Sequence, residues 1–265
     1  MPPKGHAILS ASSSDRWLHC PPSARLCETY EDKGSNYAAE VSDAHSLCEY
    51  KLRKALGMEA TDPTENLDWY NAEMEDCATG YASFIMELLE EAKQICSDPV
   101  VLIEQRVNFS RWVEQGFGTS DAILISDGTM HVIDYKHGLG ILVSADNNPQ
   151  MNCYALGALE LFDDIYDIDT VSMTIYQPRR QNVTTYEVSK DAVSKAVKAA
   201  GFDPYEKKLL GITAMQKLLG KSRFEELLAA YIEKPQGKPT LVPESDKRPA
   251  MNTAKNDFME EYDNE

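Results

Sequence analysis

The chain has 265 residues, 43% of them hydrophobic, which is enough to build one large domain with a real core. Its formal net charge of −17, from 26 Lys and Arg against 43 Asp and Glu, argues against a protein that clings processively to bare duplex. Affinity of that kind comes from neutralising phosphates with a basic face. No stretch approaches the roughly 20 apolar residues of a membrane helix, and residues 1–10 carry no apolar run behind a basic start, so a cytoplasmic protein without a membrane partner is expected.

In chain order, Ser10 to Trp17 reads as a short helix, with Cys20-Pro21-Pro22 as its stop. From Ala38 to Leu56 the apolar positions Val41, Ala44, Cys48, Leu52 and Ala55 recur at helical spacing, and Gly57 closes the run. A second helix is expected from about Asn71 to Ile95, with Ser97-Asp98-Pro99 as breaker. Between Asp62 and Asp98 stand ten acids and one base, Lys93, which fits an acidic helix face turned to solvent. The character then changes. Val100 to Phe109, Asp121 to Ser126 and Met130 to Tyr135 read as strands, the last two joined by an Asp127-Gly128 turn.

Asn148 to Leu161 returns to helix, Val171 to Tyr176 and Thr184 to Val188 to strands, and Ser189 caps a helix through Ala200. The expected fold is therefore mixed α/β, a mixed sheet flanked by helices. Three parts follow from this order: a domain over 1–200, a helical hairpin over 201–234 broken at Gly220, and an extended or disordered tail over 235–265. The six cysteines form no C-x-x-C pair, so a zinc ribbon is not expected and most of them read as free thiols on helix faces.

Chemistry gathers on three short pieces. Asp134 and Lys136 sit two apart on a strand, so both project from one face. Asp121 heads an apolar run, Ala122-Ile123-Leu124-Ile125, where a carboxylate needs a partner or a metal. Two carboxylates meeting at a strand edge form the hard-oxygen site that Mg²⁺ prefers, and Tyr135 can add its backbone carbonyl. Lys136 supplies a point charge for a phosphate or an attacking water. The plainer reading of Asp134 and Lys136 is an ion pair.

Gln150 and Tyr154 share a helix face one turn apart, either as a polar edge or as a pair that orients the lysine. His45 is a core histidine or an imidazole ligand beside carboxylates. Glu104 either points to the same place or pairs with Arg106. Arg179, Arg180, Lys190, Lys195 and Lys198 are either DNA-backbone contacts or a solvated face.

Taken together, the helix with His45, Gly118-Thr119-Ser120-Asp121, Ile133-Asp134-Tyr135-Lys136 and the Gln150–Tyr154 helix resemble the RecB-like branch of the PD-(D/E)XK nuclease superfamily. The opening Ser10 to Pro21 is similar to that branch's N-terminal signature. His131 to Gly157 and Lys208 to Pro249 look like a phage-borne family within it, domain of unknown function 2800.

The resemblance implies a restriction-endonuclease-like core with one or two Mg²⁺ or Mn²⁺ ions at the sheet edge. Its ligands would be His45, Asp121 and Asp134, with Lys136 as catalytic lysine and Gln150 and Tyr154 supporting it. The implied activity is a metal-dependent deoxyribonuclease, an exonuclease acting on single strands or duplex ends. Its setting would be the bacterial cytoplasm, alongside other phage recombination proteins. Several relatives carry late cysteines that bind an iron–sulfur cluster; here no cysteine follows Cys153, so no cluster is expected. The competing expectation is a non-catalytic DNA-binding or scaffold protein of a phage recombination module, which the acidic charge favours. A metal phosphatase acting on small monoesters is a third.

Overall fold

The computed structural model describes residues 7–29, 34–199 and 223–224. The chain divides into two compact units, Met1–Glu206 and Lys207–Glu265. The expected tail and all of the expected hairpin but residues 201–206 fall in the second unit, and both lie outside the described residues apart from helical Arg223 and Phe224.

The first unit opens with a 3-10 turn, Ala11–Ser13, followed by α1 (Ser14–His19) and α2 (Pro22–Glu28). The stop expected at Cys20-Pro21-Pro22 is present, since α1 ends at His19, but the second helix was not expected. Pro22 is its first residue, where its missing N–H is no loss and its fixed φ is already helical. Two long helices follow, α3 (Asn36–Ala55) and α4 (Ala72–Ala92). Each begins on a polar side chain, Ser35 accepting from Ala38 N–H and Asn71 from Met74 N–H.

The sheet is formed by β1 (Val100–Asn108), β2 (Phe117–Ser126), β3 (Thr129–Tyr135), β4 (Thr170–Gln177) and β5 (Asn182–Ser189), in spatial order β1-β2-β3-β4-β5. All neighbours are antiparallel except β3 and β4, whose parallel pairing is made possible by the intervening helix α5 (Pro149–Tyr166). The β2–β3 turn is Asp127-Gly128, with Gly128 at φ +70, a conformation glycine adopts without strain. A last helix, α6, covers Lys190–Ala199.

Strand alternation divides the core in two. Ile123, Ile125, Met130, Val132, Val171 and Met173 face α5 and the N-terminal helices. Ala122, Ile133 and Tyr135 face α3 and α4, meeting Leu47, Leu52, Met74, Tyr81 and Ile85. Burial on both faces explains why these strands read as near-continuous apolar runs. Of the cysteines, Cys48, Cys77, Cys96 and Cys153 are buried and Cys20 and Cys27 exposed, all as free thiols. Most of the acids of 62–98 are solvent-exposed, but three are in ion pairs: Glu75 with Lys51, Glu73 with Arg179 and Glu90 with Lys93.

Candidate active site

The site lies where β2 and β3 part. Their ladder stops at Ala122↔Ile133. One residue beyond, Asp121 turns its carboxylate into the gap, and its Oδ2 accepts the Tyr135 backbone N–H at 2.6 Å. A side chain thus completes the hydrogen bonding that the strand no longer provides. The β1–β2 ladder is also interrupted at this level. Ile103↔Ala122 and Gln105↔Ser120 pair normally, whereas Glu104 between them has φ +51. A glutamate held in the left-handed region costs about 1–3 kcal/mol and must be held there by its surroundings.

Two carboxylates and an imidazole converge here. One ligand atom from each of His45, Glu104 and Asp121 lies within 4.8 Å of the other two. His45 Nδ1 is 3.1 Å from Asp121 Oδ1, and the ring meets Tyr135 edge-on, with centroids 5.5 Å apart. On its own this pair is an ordinary His–carboxylate contact. Glu104 turns to the site rather than to Arg106, which stacks on Phe117 with its guanidinium carbon 4.1 Å from the ring centroid.

Asp134 comes from the same gap and faces α5. Its side chain is only 3% exposed, and its Oδ2 lies 2.9 Å from Lys136 Nζ. Gln150, in the first turn of α5, joins the set: its Nε2 donates to Asp134 Oδ1 at 2.8 Å and to the Tyr154 hydroxyl at 3.1 Å. Its Oε1 accepts from Lys136 Nζ at 2.8 Å. Lysine only donates and an ionised carboxylate only accepts, so the amide can face just one way. Tyr154 can approach β2 closely because residue 118 is glycine; a Cβ there would stand 2.8 Å from the tyrosine ring.

The electrostatics are those of carboxylates short of positive charge. Burial pulls the His45 imidazolium down, and Asp121 more than reverses this, raising it to about 9. Burial pushes the Asp121 carboxyl up, but His45, its hydrogen bond, the Tyr135 N–H and Lys136 together hold it below its ordinary value. Asp134 goes the other way: burial, with repulsion from Asp121, raises it despite Lys136. Glu104 rises to about 7, through burial and then repulsion from Asp121. Burial lowers the Lys136 ammonium, and Asp134 more than restores it. Asp134 Oδ2 is held by the Lys136 ammonium at 2.9 Å. Buried carboxyl groups raised by burial and by one another are what a hard divalent cation would relieve.

The structure therefore brings together His45, Asp121, Asp134, Lys136, Gln150 and Tyr154, and adds Glu104. Tyr135 contributes its backbone N–H to Asp121, and its phenol lies 2.8 Å from His137 Nδ1 under α3 and α4. Of the basic series, Arg179 is 13% exposed and bridges Glu40 at 2.9 Å and Glu73 at 3.1 Å, while Lys190 pairs with Asp163 at 3.0 Å. These two are engaged with acids of this unit; Lys195 is exposed, and the Lys198 side chain lies outside the described residues. Buried His137, 3.4 Å from Glu40, belongs to the same network and was missed in the sequence, where its only signal is its place one residue after Lys136.

Fold and site define a mixed α/β domain carrying a carboxylate–lysine cluster where two central strands separate. The chain belongs to the family described as "Protein of unknown function (DUF2800)", whose model matches residues 6–195 and 188–249. A solved structure described as "Crystal structure of SSO0001" is similar over 71% of this chain and 96% of its own, at 12% identity and a TM-score of 0.22. A likeness at that level carries no argument about fold or function. Among the described residues, no helix is long and apolar enough to cross a membrane.

Proposed function

We propose that the protein is a Mg²⁺- or Mn²⁺-dependent deoxyribonuclease of the RecB-like PD-(D/E)XK kind, acting in phage DNA replication or recombination. The observation that carries this reading is the convergence of His45, Glu104 and Asp121 in one gap of the sheet, with the buried Asp134–Lys136 pair opening from the same gap. The donor set fits a hard divalent ion: carboxylate oxygens and one imidazole, with two of the carboxyl groups raised for want of positive charge.

His45, Glu104, Asp121 and Asp134 would hold the ion. The chemistry it supplies when bound is polarisation of a phosphoryl oxygen and activation of water. The remaining work falls to the chain's own groups. Lys136 places a full positive charge beside the carboxylates, where a phosphodiester's developing charge would fall. Gln150 fixes that ammonium and takes up one Asp134 oxygen, leaving the other to Lys136. Tyr154 backs Gln150 through its hydroxyl. The Tyr135 N–H locks the orientation of Asp121.

The test is cleavage of labelled single-stranded, blunt and circular DNA by the purified protein with Mn²⁺. Activity should vanish with EDTA and in Asp121→Ala and Asp134→Ala, each folded by circular dichroism. Cleavage that persists in both variants would end the assignment. The acidic charge supports a second reading, a scaffold that binds DNA without cutting it. That reading predicts no strong Mn²⁺ uptake by calorimetry.

A further inference from the structure

The last turn of α5 is built against its own electrostatics. The C-terminal end of a helix carries partial negative charge and favours cations. Here it holds Asp163 and Asp164 with no basic residue, and Asp167 is its C-cap. Asp163 is compensated, since Lys190 at the start of α6 lies 3.0 Å from it. Asp164 is exposed and, among the described residues, has neither a hydrogen bond nor an ion pair.

Beside it lies a cavity of about 290 Å³ between α5, the start of α6 and the β1–β2 connection. Trp112, Leu156 and Leu159 give it an apolar wall, and Asp164 and Asp191 also line it. Its two bases are already engaged: Arg111 pairs with Glu160 at 3.0 Å and Lys190 with Asp163. Four acids against two bases leave the lining negative. The Trp112 indole N–H is buried and has no acceptor in the structure, and a buried donor is ordinarily paired. On the outer side of the same turn Leu161 is 41% and Ile165 69% exposed. At i, i+3 and i, i+4 spacings, Glu160, Leu161, Asp164 and Ile165 form one continuous patch, half acidic and half apolar.

We infer that this end of α5 is a docking surface for a basic, amphipathic peptide segment of a partner protein. A Lys or Arg side chain of the segment enters the cavity along Trp112 towards Asp164 and Asp191, and its apolar side chains cover Leu161 and Ile165. Charge complementarity decides the occupant. A chain of net charge −17 repels a second copy of itself, and an acidic groove repels phosphates, whereas a basic partner is drawn to it. Long basic side chains carry the methylene stem that an indole and leucine wall covers, and the indole face attracts their charge. The buried N–H selects a peptide over a bare polyamine or a metal ion, because a main-chain carbonyl can accept from it and a cation cannot. From Gln150 to Asp164 the helix rises about 21 Å, so this surface is separate from the carboxylate–lysine cluster. The inference does not depend on the nuclease reading.

The test is fluorescence anisotropy of the full chain with a short labelled peptide of leucine and lysine, the two kinds on opposite helical faces. A twin peptide carries glutamate in place of lysine. The wild type should bind the basic peptide and not the acidic one. Tryptophan emission should change on binding, and Trp112→Phe should remove the change. Asp164→Lys should weaken binding about tenfold or more by reversing one charge contact. The same variant should have a higher Tm, because a cation suits that helix end, so lost folding cannot explain its lost binding. Ile165→Ser should also weaken binding about tenfold and leave its salt dependence unchanged. Asp68→Lys, at an exposed acid elsewhere, should change affinity by less than about twofold. Equal losses in Asp164→Lys and Asp68→Lys would mean that the peptide senses overall charge alone, and would overturn the inference. So would an unchanged tryptophan emission, or displacement of the peptide by spermine at a comparable concentration.

Discussion

Lys136 is held by Gln150: its Nζ lies 2.8 Å from the amide oxygen, while the amide nitrogen of the same side chain donates to Asp134 at 2.8 Å. One neutral residue thus bridges a cation and a carboxylate whose other oxygen already meets that cation at 2.9 Å. Gln150→Ala should leave Lys136 held by Asp134 Oδ2 alone and Asp134 Oδ1 without its amide donor. Steady-state kinetics should show kcat down by about 10–100-fold, the usual effect of removing a group that orients a site, with KM little changed. An unchanged kcat would mean that the bridge is only structural.

The state of His45 gives a proton count. With its pKa raised to about 9 by Asp121, the ring is charged at pH 7.5 in the metal-free protein. An imidazole must be neutral to ligate, so Mn²⁺ uptake at pH 7.5 should release about one proton from His45. Calorimetry in buffers of different ionisation enthalpy measures this. His45→Gln should bind more weakly and lose that release; an identical count in the variant would remove His45 from the ligand set.

Glu104 gives a stability signature of definite sign. Its carboxyl is raised from an ordinary 4.5 to about 7 by burial and by Asp121. Below about pH 4.5 the group is protonated in both folded and unfolded chains, and folding carries no penalty from it. As pH rises through that window to 7 the unfolded chain ionises first, so the folded state loses ground, and the full cost is present above 7. Glu104→Gln should therefore stabilise the fold in EDTA at pH 8 by on the order of 1–2 kcal/mol once solvent screening is allowed for, seen as a higher Tm, and change little at pH 4. With saturating Mn²⁺ the order should reverse, because the wild type gains a ligand that the variant lacks.

Arg179 separates architecture from binding. It ties Glu40 on α3 to Glu73 on α4. Arg179→Ala leaves the half-buried Glu40 and the exposed Glu73 without their cation. Denaturant titration should show a loss of about 1 kcal/mol, with Mn²⁺ affinity unchanged. A fall in DNA affinity without a fall in stability would return Arg179 to the nucleic-acid surface.

Much of this architecture was legible in the residues because apolar runs buried on both faces are hard to mistake. All five strands stand within a few residues of their expected positions, and so do α3, α4 and α5. The shared strand face of Asp134 and Lys136, and the one-turn spacing of Gln150 and Tyr154, were readable for the same reason: both follow from the periods of strand and helix.

Three features were left open or missed. Glu104 stood between the site and Arg106, and the positive φ that turns it inward is signalled by no propensity of glutamate. The partners of Arg179 lie on two helices far away in sequence, so a local run of arginines looked like free charge. Pro22 opens a helix where proline usually reads as a break. In each case a tertiary contact or a backbone exception decided what the local sequence left open.

The central claim is that Lys136 and the carboxylates form a hydrolytic site, and Lys136→Ala tests it most directly. The lysine is expected to act on the phosphodiester rather than as a metal ligand. The variant should stay folded and bind Mn²⁺ at least as tightly as the wild type. Its single-turnover cleavage of labelled DNA under saturating Mn²⁺ should fall by about 10²-fold or more. Cleavage at the wild-type rate by a folded, metal-bound Lys136→Ala protein would contradict the account.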